Sequence, residues 1–147
     1  MLRMEPIEVL LVEDDQGDVE LTLEVMSMSK LHVNISVAKD GIQCMDFLRK
    51  AAGYEDKPTP DIILMDLNMP KKDGRETLQE IKADPLLKMI PVVILTTSES
   101  NEDIVKSYTA GANCYITKPV GLEQFATIVA GIENFWFTIV KLPSKLL

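Results

Sequence analysis

Four short apolar runs in this chain each lead into a residue able to do chemistry. Ile7–Val12 (IEVLLV) runs into Glu13-Asp14-Asp15, and Asp61–Asp66 (DIILMD) ends in Asp66. Pro91–Leu95 (PVVIL) runs into Thr96-Thr97-Ser98, and Cys114–Thr117 (CYIT) runs into Lys118-Pro119. If these runs are parallel strands, their carboxyl ends share one edge, and chemistry in open α/β sheets collects there. Glu13, Asp14 and Asp66 would meet in one crevice. Like charges that close repel, and a divalent cation removes the penalty. A few protein oxygens with room for water suit Mg²⁺, with Mn²⁺ an alternative. Thr96 adds a hydroxyl and Lys118 an ammonium. Three carboxylates, one ammonium and a divalent cation sum to zero charge. A hydroxyl, an ammonium and a metal around one carboxylate are what a transferring phosphoryl group requires. Its equatorial oxygens find donors or cations while the carboxylate attacks in line.

The elements that would position these groups follow from the pattern between them. Asp18 can cap a helix running through Leu21, Val25 and Met28. Asn34–Ala38 (NISVA) alternates and reads as an edge strand. Asp40-Gly41 opens a helix through Ile42, Met45, Phe47 and Leu48, and Gly53–Pro60 is a surface loop. Asn68–Gly74 is an irregular loop before a helix over Arg75–Ala83, which Asp84-Pro85 stops. Asn101–Ala110 is a polar helix with Gly111 just past its end. A last helix spans roughly Gly121–Lys141. Strands alternating with helices imply a parallel sheet covered on both faces. Right-handed crossovers leave the flavodoxin-like (βα)₅ fold, with strand order 2-1-3-4-5, as the expected architecture.

Composition narrows the classes of function. The 147 residues suit one domain and leave none for a separate output domain, so we expect a single unit over 1–147. With 23 acids against 15 bases the net charge is −8, which disfavours direct nucleic-acid binding and anionic membranes. Cys44 and Cys114 are too few for a disulfide framework, and the single histidine, His32, cannot anchor a zinc site alone. The N-terminus shows no signal-peptide pattern, and a cytoplasmic location is expected. No Gly-rich phosphate loop follows the first strand, which argues against a flavodoxin-type cofactor binder. Taken singly, an acidic triplet after a strand is a solvated turn or a helix cap. The combination at four strand ends makes a site.

LLVEDD (Leu10–Asp15), LMDLNMPKKDG (Leu64–Gly74), VVILTTS (Val92–Ser98) and CYITKP (Cys114–Pro119) carry a resemblance across essentially the whole chain. The sequence resembles the CheY-like receiver domain of two-component response regulators. The resemblance implies Asp66 as phosphoacceptor, with Mg²⁺ held by Glu13, Asp14, Asp66 and the backbone carbonyl of Asn68. It implies Thr96 and Lys118 as phosphoryl contacts, Tyr115 as an aromatic switch residue, and a cis peptide before Pro119. It implies a signalling protein rather than an enzyme acting on other substrates, limited to self-phosphotransfer and slow autodephosphorylation. The implied partner is a sensor histidine kinase. The ending GIENFWFTIVKLP (Gly131–Pro143) and PKKDGRE (Pro70–Glu76) are similar to stand-alone regulators of bacterial phytochromes. A phosphate shuttle or sink for another sensor kinase is the alternative. The consecutive rings Phe135, Trp136 and Phe137 are too widely fanned for one buried stripe. They are expected to form an apolar partner face, and the resemblance implies a homodimer through helix four, strand five and helix five.

Overall fold

The computed structural model describes residues 6–145. Five parallel strands lie in the expected order β2-β1-β3-β4-β5. They are β1 (Ile7–Val12), β2 (Val33–Ala38), β3 (Ile62–Met65), β4 (Val92–Thr96) and β5 (Cys114–Thr117). The helices are α1 (Gln16–Ser27), α2 (Gly41–Leu48), α3 (Gly74–Ala83), α4 (Asn101–Ala110) and α5 (Leu122–Ile132).

Strand alternation divides the core in two. Leu10, Val12, Ile63, Met65, Val92 and Ile94 face one way and pack with Phe47 of α2 and Leu78 and Ile81 of α3. Val9, Leu11, Ile62, Leu64, Val93 and Leu95 face the other way, onto Val19 and Met26 of α1 and Phe125 and Val129 of α5. A strand buried on both faces needs an unbroken apolar run, which is why β1, β3 and β4 were the plainest features of the sequence. Edge strands β2 and β5 are only partly buried. Cys44 lies wholly inside, and burial pushes its thiol up to about 12.

Side-chain caps fix where the helices begin. The carboxylate of Asp40 accepts from Gln43 N–H at 2.8 Å, and that of Asp73 from Glu76 N–H at 3.1 Å. Asp15, not Asp18, caps α1, accepting from the Asp18 N–H at 2.9 Å. Ser100 caps α4, its hydroxyl accepting from the Asp103 N–H at 3.2 Å. Gly111 ends that helix with φ 109°, a left-handed conformation that favours glycine.

The expected single last helix is two pieces. After Ile132 the chain widens into a π-helix over Glu133–Ile139, and a 3-10 turn, Pro143–Lys145, follows. The π-helix distributes the three rings differently from a continuous partner face. Phe137 is buried in the α1/α5 core, Trp136 is half-buried against it, and Phe135 is 51% exposed. Phe135 packs edge-on to Trp136 with centroids 5.8 Å apart. Of the set, Phe135 remains as the ring facing outward. The hydroxyl of Ser144 bonds the carboxylate of Asp61, tying the Pro143–Lys145 turn to the residue before β3.

Candidate functional site

The register of the sheet brings the strand ends together. Val12 is opposite Met65, and Ile94 is opposite both Met65 and Tyr115. The next residues along β1 and β3 are Glu13 and Asp66, while Thr96 ends β4. Ligand oxygens of Glu13, Asp14 and Asp66 all lie within 4.8 Å of one another. Glu13 and Asp66 are buried, and Asp14 sits exposed on the rim.

Lys118 is the counter-charge. Its ammonium donates to Asp66 Oδ2 at 3.1 Å, to Asp18 Oδ2 at 2.8 Å and to Glu13 Oε1. Burial opposes its charge, but the hydrogen bonds of Asp18 and Glu13 and the negative charges around it outweigh that and raise its pKa. Asp18, which reads as a cap in the sequence, is therefore an additional carboxylate on this lysine. It lies one helical turn after the acidic triplet, and that spacing was the available signal.

Glu13 shows the strain of the arrangement. Its carboxyl is pushed up from 4.5 to about 7, chiefly by burial and also by the charge of Asp66. The hydrogen bond from Lys118 works the other way but does not cancel the shift. Three carboxylates around a single ammonium leave excess negative charge even with Glu13 titrating so high.

Thr96 is wholly buried, and its hydroxyl oxygen is the buried side-chain polar atom left without a hydrogen-bond partner among the described residues. Such atoms are rare in folded proteins. Asn68 lies on the loop after β3, and its N–H donates to Asp66 Oδ1 at 3.2 Å, which draws the loop to the acids. Hard oxygen donors with one exposed member, excess negative charge and an orphan hydroxyl fit a divalent cation and an oxyanion.

Two features were not visible in the sequence. Gly74 opens α3 directly beneath the site, and a Cβ there would lie 2.2 Å from the Asp66 carbonyl oxygen. Only glycine allows this approach. Arg75, the next residue, forms a two-pronged ion pair with Asp103 of α4 at 2.9 and 2.8 Å. Tyr115 is half-buried on β5, and its hydroxyl donates to the Ser98 carbonyl at 2.9 Å. The expected cis peptide before Pro119 is absent, since every described peptide is trans. Trans is the intrinsic preference of X–Pro by roughly 0.5–1 kcal/mol. It accompanies a ladder bond from Lys118 N–H to the Thr96 carbonyl at 2.7 Å.

Comparison with known proteins agrees with this geometry. Residues 9–130 match the family model of the response regulator receiver domain. Response regulator Rcp1 of Synechocystis sp. is 47% identical over 139 residues, 95% of each chain. The phosphorylated cyanobacterial phytochrome response regulator RcpA superposes with a TM-score of 0.92 at 46% identity, over 95% of this chain and 99% of that one. The Mn²⁺-bound form of Rcp1 gives a TM-score of 0.91 at 47% identity, over 94% and 99% of the two chains.

Proposed function

Because the chain belongs to the response regulator receiver family, we propose that Asp66 accepts a phosphoryl group from the phosphohistidine of a sensor histidine kinase. The carrying observation is the wholly buried Thr96 hydroxyl without a partner, at the edge where Lys118 meets Asp66. An Asp66 carboxylate oxygen attacks phosphorus in line, the N–P bond breaks, and an acyl phosphate forms. Thr96 donates to one phosphoryl oxygen and Lys118 to another. Glu13, Asp14, Asp66 and the Asn68 carbonyl are the residues that would hold Mg²⁺. When bound, the ion supplies charge neutralisation for the transferred group. Slow hydrolysis of the same acyl phosphate resets the protein, and no separate substrate is turned over.

The kinase is proposed to be of the phytochrome type, supported by the likeness to RcpA and Rcp1. The output is proposed to pass by protein contact through the α4-β5-α5 face, in the cytoplasm. Tyr115 lies on that face, and the exposed side chains of Val105 and Tyr108 on α4 offer apolar area for a homodimer. Among the described residues no helix is long and apolar enough to cross a membrane.

Incubation with acetyl phosphate and Mg²⁺ should add one acid-labile phosphate per chain, and Asp66→Asn should remove it. A variant that keeps the phosphate places the acceptor elsewhere. Sedimentation with and without the phosphodonor tests the dimer.

A further inference from the structure

Asn68 and Ser98 stand on opposite flanks of the acid cluster, each two residues beyond a proposed site residue, Asp66 and Thr96. One polar route joins them. Arg75 Nη1 reaches Asn68 Oδ1 at 3.5 Å and Asp73 Oδ2 at 3.4 Å. Its Nε and Nη2 grip both oxygens of Asp103. Asp103 Oδ2 also accepts from Ser98 Oγ at 2.7 Å, and the Ser98 carbonyl accepts from the Tyr115 hydroxyl at 2.9 Å. The route crosses from the loop before α3 to α4, then to the loop after β4, and ends on β5.

The ion pair at its centre differs from an ordinary surface pair. Its side chains are 35% and 17% exposed, and the planar fork meets the carboxylate with two bonds. Two-pronged, charge-assisted pairs are the strong class of hydrogen bond, whereas single exposed pairs contribute little. The Arg75 and Ser98 hydrogen bonds hold the Asp103 carboxyl down at about 2, so it stays ionised at any physiological pH.

We infer that Arg75 and Asp103 are a positioning pair for the phosphoacceptor site, setting the spacing of its Asp66 and Thr96 flanks and the seat of Tyr115. The pair touches none of the reacting atoms. It fixes the Ser98 carbonyl on which the Tyr115 hydroxyl rests, and with it the segment continuing from Thr96. It steadies Asn68 on the other side. A two-pronged contact has one good geometry, so the flanks are held at one spacing. Lysine cannot reproduce this. The inference rests on the phosphoacceptor reading for its effect on rate, but not for its effect on Tyr115.

The test uses the full chain carrying 3-fluorotyrosine, with the Tyr115 fluorine signal identified by Tyr115→Phe. In protein without phosphodonor, Arg75→Met and Asp103→Asn should each shift the Tyr115 signal and leave that of Tyr54 unmoved. With acetyl phosphate and Mg²⁺, each variant should lower the saturating rate of phosphorylation roughly tenfold, equal to about 1.4 kcal/mol, at unchanged half-saturating donor. The double variant should lose no more than either single one, the mark of a shared interaction. Ser98→Ala removes the charge-assisted bond to Asp103 and the longer one from the Ser100 N–H, and keeps the ion pair. It should shift the Tyr115 signal even if an ion-pair variant fails to fold. An unmoved Tyr115 signal in Ser98→Ala and the folded ion-pair variants overturns the inference, as do multiplying losses in the double variant. Absence of acid-labile phosphate on the unaltered chain, with the Tyr115 shifts present, would instead overturn the phosphoacceptor reading alone.

Discussion

Glu13→Gln should stabilise the metal-free protein at neutral and alkaline pH. The Glu13 carboxyl is 3% exposed and titrates at about 7 in the folded chain against 4.5 as its ordinary value. Below pH 4.5 it is protonated in both states and contributes nothing. Between 4.5 and 7 the unfolded chain releases the proton first, so stability falls as pH rises; above 7 the loss is complete. At about 1.4 kcal/mol per pH unit, the penalty above pH 7 is at most about 3–4 kcal/mol. Water reaching the carboxyl and rearrangement of Lys118 would each reduce the penalty, so the full figure is a ceiling. For a chain of this size 1 kcal/mol moves Tm by roughly 2–4 °C. The glutamine variant should therefore melt several degrees higher at pH 8 in chelator, and within a degree or so of the parent at pH 4.5. Its amide oxygen can still accept from Lys118. Mg²⁺ at a hundredfold its Kd should add about 2.7 kcal/mol to the parent and much less to Glu13→Gln. A variant less stable than the parent at pH 8, or a gain equal at both pH values, would refute the electrostatic account of this site.

Three further outcomes follow from the same geometry. Gly74→Ala forces a Cβ against the Asp66 carbonyl; it should cost about 1–3 kcal/mol, read by urea unfolding, and slow phosphorylation of Asp66. Lys118→Met leaves Glu13 and Asp66 buried without their counter-charge; a loss of about 3–5 kcal/mol is expected, smaller below pH 7 where Glu13 is protonated. Cys44 is wholly buried with its thiol pushed up to about 12, while Cys114 is partly exposed. A thiol reagent at pH 8 should modify Cys44 only at the rate of unfolding, measured by mass on the Cys44 peptide.

The residues at the strand ends were legible because two-sided burial writes a strand as an apolar run, and the chemistry begins where the run stops. Asp66, Glu13 and Thr96 follow that rule, and Lys118 comes directly after the half-buried edge strand β5 beside them. Choices between equivalent local chemistries were not legible. Asp15 and Asp18 can each cap a helix; the end of β1 decides for Asp15 and sends Asp18 to Lys118. The Arg75–Asp103 pair joins residues 28 apart in sequence, and no local pattern encodes a polar contact between helices. Phe135, Trp136 and Phe137 were placed by α-helical angles, which the π-helix after Ile132 changes. The nearness of Gly74 to Asp66 depends on how α3 lies on the sheet, a property of packing alone.

β1 aligns Val12 with Ala38 on one side and with Met65 on the other, and this has a kinetic consequence. The pairing with β2 closes the shorter loop and carries neither Asp66 nor Lys118. The acids come together only when β3 joins β1, across an intervening strand and helix, and Lys118 arrives later in the chain still. Non-local pairings of this kind form late. Repulsion among the carboxylates is therefore felt near the end of folding. A cation that relieves it acts on contacts largely absent from the transition state. Mg²⁺ should accordingly slow unfolding and leave the folding rate nearly unchanged, so that the loaded regulator is long-lived in its folded form.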